Sequence, residues 1–559
     1  MKNTDNSRHS RYDRDQNNNS NNSKSNKSKN TQTRWESVLM TILVSVLALV
    51  ILFLGISLAM LYMTGTSPLS RLQERMSSLY EQLHTEAAMD AASDSSAAAS
   101  GEAAGPAEAV TDQADGSISA EAVSETAAQT ETAPATEAET LPSEVSAVLT
   151  QADRLAAGYD YDAAIALVRG IDGYEQYDAL TAAVASYEET KNACVAVDVY
   201  QVPHFFFHSL INDTDRAFDS DVLAGYELNG MNAWMTTVSE FDKIINYLYE
   251  NNYVLVRLRD LVVETADENG EVHFETNTSL MLPEGKKAFV LSVDDLSYYH
   301  TYTKAGFPEK LVLDENGDVK CLYTDGEGTT STGDYDVVPR LSTFLEEHPD
   351  FSYQGARGLI AMTGYNGVFG YRTDEDYVRK ENLSEEQEAW LEAHPDFDIN
   401  EEISEATKIA DALKEEGWEF ASHTWGHLSV TSRTLDELKE DNEKWVKNVQ
   451  DIVGEVDTII FAHGNDIGAW IDGYTEENET YVYFRDAGYR FFCNVDASAP
   501  YLLQVSSEYV RQSRINLDGL RLYEAITGES TILENFFTYD QIYDIFDGRR
   551  PTPVTATGE

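Results

Sequence analysis

From about residue 194 onward, short apolar runs alternate with segments whose apolar residues recur every three or four positions. "CVAVDVY", "YVLVRLRDL", "KAFVLSVDD", "GLIAMTG", "WEFASH", "TIIFAHG" and "GYRFFCNV" have the length and the β-branched or aromatic content of buried strands. Between them, "TTVSEFDKIINYLYENNY" sets Phe241, Ile244, Ile245 and Leu248 on one helical face, and "EEISEATKIADALKEEGW" and "TLDELKEDNEKWVKNVQDIVG" read as further helices. Such alternation over about 330 residues predicts an α/β sheet or barrel with its chemistry at the C-terminal ends of the strands. Two stretches rich in Asp, Glu and Gly, residues 298–355 and 373–399, interrupt the pattern and are expected as surface insertions near the active face. Residues 531–559 form a C-terminal segment that is expected to be a loose tail from about 549.

The first part of the chain has a different texture. Residues 38–63 carry no charge, enough helix to cross a hydrocarbon core of about 30 Å with some tilt. A long polar tail in front of them argues against a cleaved signal. Eight basic and three acidic residues lie among the first 34, whereas only Arg71 and Arg75 follow the apolar run closely. The positive-inside rule then predicts a single-pass protein of the cell membrane, with a cytoplasmic N-terminus and the remaining domains extracellular. Residues 1–37 are Asn- and Ser-rich and read as a disordered cytoplasmic tail. Residues 64–143 read as a short amphipathic helix followed by a low-complexity Ala/Glu/Ser/Thr linker, too poor in apolar residues to offset chain entropy. Helical periodicity returns over 144–191 with the rhythm of one tetratricopeptide-type hairpin, and 192–530 is the α/β domain.

Charge narrows the partners. A net charge of -57 repels nucleic acid phosphates and anionic lipid headgroups, and suits an extracellular domain acting on a neutral substrate. Three scattered cysteines supply neither a disulfide framework nor a zinc-knuckle spacing. Any metal must therefore be held by His and Asp. In "WEFASHTWGH" His423 stands at the end of one predicted strand and His427 one loop-turn further on; "KAFVLSVDD" ends another strand in Asp294 and Asp295. Two imidazoles and one carboxylate can share a divalent ion with positions left for water and substrate, while the second carboxylate accepts a proton. Read more plainly, these are two core histidines and an acidic pair in an acidic chain. Aromatic residues border the same loops (Tyr298, Tyr299, Tyr365, Phe369, Tyr371 and Trp425), as sugar-stacking faces or as packing at the barrel mouth.

The region from Cys194 to about Tyr523 resembles the polysaccharide deacetylase family (carbohydrate esterase family 4, the NodB homology domain). "LSVDDL" is similar to the family's T-F-D-D-G motif, with Leu296 in place of Gly, and "HTWGH" meets its H-[ST]-x-x-H motif in full. The resemblance implies a distorted (β/α)7-type barrel and hydrolysis of N-acetyl groups on a glycan, with water activated by a divalent metal, usually zinc. It implies Asp295, His423 and His427 as ligands, Asp294 as general base, and Thr424 as an orienting residue of the loop. Trp425 and Tyr298 become candidates to bind substrate. The chain departs from the family where Ala462 replaces an expected Pro and where no His follows His463. His208, in "VPHFFFHSL", and His463 are therefore the candidates for general acid, and Arg511 and Arg514 for keeping Asp294 ionised. The implied substrate is cell-wall or surface glycan of the N-acetylglucosamine or N-acetylmuramic acid type. The alternatives are a catalytically impaired relative that binds wall glycan, or an O-acetyl esterase of the same fold.

Overall fold

The computed structural model of the protein describes residues 141–223, 225–468 and 472–555. The expected tail, membrane helix and low-complexity linker lie outside them, and no helix among the described residues is long and apolar enough to cross a membrane. Seven strands form the centre: β1 His204–Phe207, β2 Lys287–Asp294, β3 Leu359–Met362, β4 Glu419–Ser422, β5 Thr458–Ile460, β6 Phe491–Val495 and β7 Val510–Asn516. Each pairs in parallel with the next in chain order, and β7 closes onto β1 with Ile515 opposite Phe205. A closed, parallel, seven-stranded barrel fits the (β/α)7-type expectation.

Alternation along each strand divides the core. Phe289, Leu291 and Val293 of β2 face outward into one large apolar cluster, together with Ile360, Met362 and Ile515 and the helices that cover the barrel. Ala288 and Val290 face the lumen with Ala361, Ala421, Ile460 and Cys493. The helix Val238–Glu250 buries the four residues of its apolar stripe and starts with a reciprocal Thr237–Glu240 capping box. The helix Ile399–Glu416 stops at Gly417, where φ is +103° and a Cβ would come within 2.7 Å of the Gly355 carbonyl oxygen.

Several expectations need correction. "CVAVDVY" is not a barrel strand: only Val195–Ala196 is extended, paired with Met281–Leu282 outside the barrel. The first barrel strand is "HFFF", buried along its whole length. "YVLVRLRDL" contributes Tyr253–Leu255, which pairs with the first half of β2 while β3 takes the second half. The polar stretch 298–355 does contain a three-stranded antiparallel sheet, but its last part is the amphipathic barrel helix Val337–Glu347. Residues 144–191 form three helices (Ser143–Ala157, Tyr161–Arg169 and Asp178–Ala193). They share a hydrophobic cluster with Val254, Leu258 and Leu359, so they pack at the end where β3 begins, opposite the strand ends that carry the histidines.

The tail expected to be loose from about residue 549 is anchored: Arg550 is fully buried against an equally buried Glu240, and Val554 is buried too. Ahead of it, Leu533, Phe536, Phe537, Ile542 and Ile545 belong to the main core. Burying Arg550 is possible because its guanidinium is saturated by Glu240 and by the carbonyls of Asn232 and Met235.

Candidate metal centre

Asp295 directly follows β2, His423 directly follows β4, and His427 lies four residues further on. Barrel closure brings the three together: one ligand atom from each lies within 4.8 Å of the others, and His427 Nε2 is 3.5 Å from Asp295 Oδ2. The His423 tautomer is set by chemistry. Its Nδ1 lies 2.7 Å from the Ile460 carbonyl, which can only accept, so Nδ1 carries the proton and the Nε2 lone pair faces the carboxylates. Burial lowers the His423 pKa to about 4, against the pull of Asp294 and Asp295, so the ring is neutral and able to ligate. One buried carboxylate, one imidazole with a fixed tautomer and a second half-buried imidazole make a donor set that fits a divalent cation.

The loop geometry is strained where it supplies ligands. Asp295, Thr424 and His427 have φ of 58°, 62° and 52°, a region that costs of order 1–3 kcal/mol for residues with side chains. Hydrogen bonds hold them there. The Thr424 hydroxyl accepts from Leu428 N at 2.7 Å, which gives Thr424 its loop-orienting role. Asp441, from the helix Leu435–Trp445, accepts from Trp425 N and Gly426 N at 2.7 and 2.8 Å. The Tyr299 hydroxyl donates to Asp295 Oδ1 at 2.8 Å. Burial opposes ionisation of Asp295, but the neighbouring histidines, His427 foremost, and this hydroxyl bring its pKa below the ordinary value.

Asp294 is the second carboxylate. Arg514 of β7 grips it with a two-pronged fork, Nη1 to Oδ1 at 2.7 Å and Nη2 to Oδ2 at 3.0 Å. Burial would push the Asp294 carboxyl up, but Arg514 and then His423 outweigh it and hold the group far below the usual range. Arg511, the other candidate, points away to Asp466 and Gln504. His423 Nε2 is 3.8 Å from Asp294 Oδ2, so an ionised carboxylate lies beside the candidate ligand cluster.

His208 follows β1. Its Nδ1 donates to the Trp234 carbonyl at 3.0 Å, and Nε2 has no protein partner among the described residues. In the pairing of β1 with β2, Phe207 stands opposite Val293, so His208 lies at the strand end beside the Asp294–Asp295 pair. His463 follows β5 and packs on His427 with ring centroids 4.4 Å apart, its Nε2 engaged at 3.1 Å by the His427 carbonyl. Each acid candidate thus has one ring nitrogen engaged by a backbone carbonyl, Nδ1 in His208 and Nε2 in His463.

The aromatic expectations divide. Tyr298 is 1 % exposed, with its hydroxyl 3.8 Å from Cys321 Sγ; its φ of 49° turns the side chain into the core, so it cannot stack on a sugar. Tyr299 takes the place facing the site and stacks on Tyr365, centroids 5.2 Å apart. Phe369 and Tyr371 are buried packing residues. Trp425 is half-buried, donates to Asp374 at 2.8 Å and lines a hollow of about 430 Å³ with Tyr365, Asn382, Arg433 and Lys444. Tyr299 and Asp441 were absent from the sequence reading as ligand-supporting groups; only their closeness to the two motifs could have signalled them. A second group that could hold a metal, Asp267, Glu271 and His273, lies on an exposed hairpin turn where Asp267 already accepts from Asn269 and Glu271 N–H groups.

Fold and site together define a parallel (β/α) barrel with a candidate Asp–His–His metal centre and an adjacent ionised aspartate at its C-terminal rim. Among solved structures, a deacetylase from Streptococcus pyogenes (PplD), in complex with acetate, is similar at 11% sequence identity and a TM-score of 0.27, over 57% of this chain and 92% of that chain. No family model matches the chain, and no curated protein matches it.

Proposed function

We propose that the protein is a membrane-anchored, metal-dependent polysaccharide deacetylase that removes N-acetyl groups from cell-wall or surface glycan outside the cell. The observation that carries this reading is the convergence of Asp295, His423 and His427 beside an Asp294 kept ionised by Arg514. A divalent metal, zinc by preference, held by those three side chains would supply Lewis acidity, polarising the acetyl carbonyl and making water easier to deprotonate. Asp294 accepts the proton of the attacking water. Arg514 keeps its two oxygens fixed and lets that proton be taken without reorganisation. His208 in its imidazolium form gives the Nε2 proton to the departing amine, while the Trp234 carbonyl holds the ring through Nδ1. The products are acetate and a free amino sugar. Membrane anchoring rests on the uncharged run 38–63 and its basic flank, and the glycan on the acidic body and the half-buried Trp425 and Tyr365 at the rim.

The test is acetate release from N-acetylglucosamine oligomers by the full-length protein in detergent with zinc supplied. Wild type should release acetate, and Asp294→Asn should reduce kcat by at least about a hundredfold. An absence of release from oligomers and from wall material by zinc-loaded protein refutes the reading.

A further inference from the structure

The barrel lumen holds a polar column beneath the candidate base. His204 of β1 is fully buried and shares the lumen with Ser292 of β2 and with Gln512 and Arg514 of β7. The column's direction follows from its ends. Gln512 Nε2 donates to the Val202 carbonyl at 3.0 Å, so its Oε1 is the atom that faces His204 Nδ1 at 3.2 Å. An amide oxygen only accepts, and Nδ1 therefore carries the proton. Burial, reinforced by the Arg514 cation, holds the His204 pKa well below its ordinary value, so the ring is neutral and Nε2 is an acceptor. The Ser292 hydroxyl then donates to Nε2 at 3.0 Å, which turns an oxygen lone pair toward Arg514 Nη1 at 3.1 Å. Nη1 has two hydrogens: one goes to Ser292, the other to Asp294 Oδ1. The Phe206 ring lies 4.2 Å from the guanidinium carbon and closes off its face.

We propose that His204 is a positioning residue for deacetylation: by orienting the Ser292 hydroxyl it fixes the inner edge of the Arg514 guanidinium, and so the carboxylate of Asp294 relative to the metal ligands. This rests on the reading of Asp294 as general base. An apolar side chain would fill a lumen lined by Val290, Ala421 and Ile460 without the desolvation cost of an imidazole. What His204 adds is a donor and an acceptor on opposite edges of a rigid ring. Without it the Ser292 hydroxyl is free to turn its proton toward Arg514, and the fork loses its inner hydrogen bond.

The full-length protein carrying His204→Phe or Ser292→Ala should lose about tenfold in kcat with KM and zinc affinity within about twofold of wild type. In an Arg514→Lys background, adding Ser292→Ala should have no further effect, because His204 and Ser292 act through the fork. A folded Ser292→Ala protein with kcat within about twofold of wild type, or a loss that persists undiminished in the Arg514→Lys background, overturns the proposal. Ser292→Ala removes volume and keeps the test available if His204→Phe does not fold. Histidine-selective ¹⁵N spectra supply a readout independent of turnover: His204 should be the neutral Nδ1–H tautomer, and an Nε2–H tautomer overturns the column. If wild type releases no acetate, the deacetylase reading fails and takes the catalytic role with it, while the tautomer still decides the column.

Discussion

Replacing Arg550 by Met removes one half of a fully buried ion pair, and the structure sets the size of the effect. Arg550 gives Nε to Glu240 Oε1 at 2.7 Å and Nη2 to Oε2 at 2.5 Å, and donates to the carbonyls of Asn232 and Met235 at 2.7 and 2.6 Å. In the variant, Glu240 keeps only the N–H groups of Thr237 and Asp547, both at 2.9 Å, and the two carbonyls lose charged donors. Breaking a buried pair from one side costs about 3–5 kcal/mol, and the abandoned carbonyls put this case at the upper end. Glu240→Gln together with Arg550→Met removes the uncompensated charge, so the double variant should lose about 1–3 kcal/mol less than the sum of the single losses. Urea unfolding followed by tryptophan fluorescence reads both quantities, with the slope checked for constancy. A loss below about 1 kcal/mol for Arg550→Met would refute the reasoning, because it would mean that the C-terminal segment detaches without consequence.

Tyr299→Phe removes the hydroxyl that orients Asp295 and should weaken zinc binding about 10- to 100-fold, measured by chelator competition; an unchanged affinity contradicts that role. Asp336 is buried, which pushes its pKa up to about 6 from an ordinary 3.8. The folded state therefore keeps a proton that the unfolded chain has lost between about pH 4 and pH 6, and stability falls as pH rises through that window. Asp336→Asn should remove this dependence, so its advantage over wild type should grow by about 2–3 kcal/mol from pH 4 to pH 7; a constant difference contradicts the assignment. Trp425→Ala should raise KM for glycan oligomers several-fold more than it lowers kcat, read from initial rates of acetate release; the reverse split argues that Trp425 only shapes the His427 loop.

The ligand cluster was legible because each of its parts is local. "HTWGH" and "VDD" place the donor residues within a few positions of a strand end, and barrel closure needs only the strands to find their order. The strands themselves were less legible where they face the lumen. β7 reads "VRQSRIN", polar at five of seven positions, yet every residue of it is buried: Gln512 and Arg514 pair in the lumen with His204, Ser292 and Asp294, while Arg511 and Ser513 bond to Asp466 and the Ala499 carbonyl. A polar lumen reverses the alternation by which strands are recognised. Tyr298 and Tyr299 are neighbours with opposite fates, decided by a left-handed backbone turn that no residue pattern announces. Arg550 looked like a tail residue because its partner, Glu240, is 310 positions away.

The most direct test of the central claim is metal stoichiometry. Full-length protein loaded with zinc, freed of excess by desalting and measured by mass spectrometry for metal per chain, should hold one equivalent. Asp295→Ala and His427→Ala should each lose it, and Asp294→Asn should retain it, because Asp294 belongs to Arg514. Wild type without bound metal, or full retention in His427→Ala, would contradict the account.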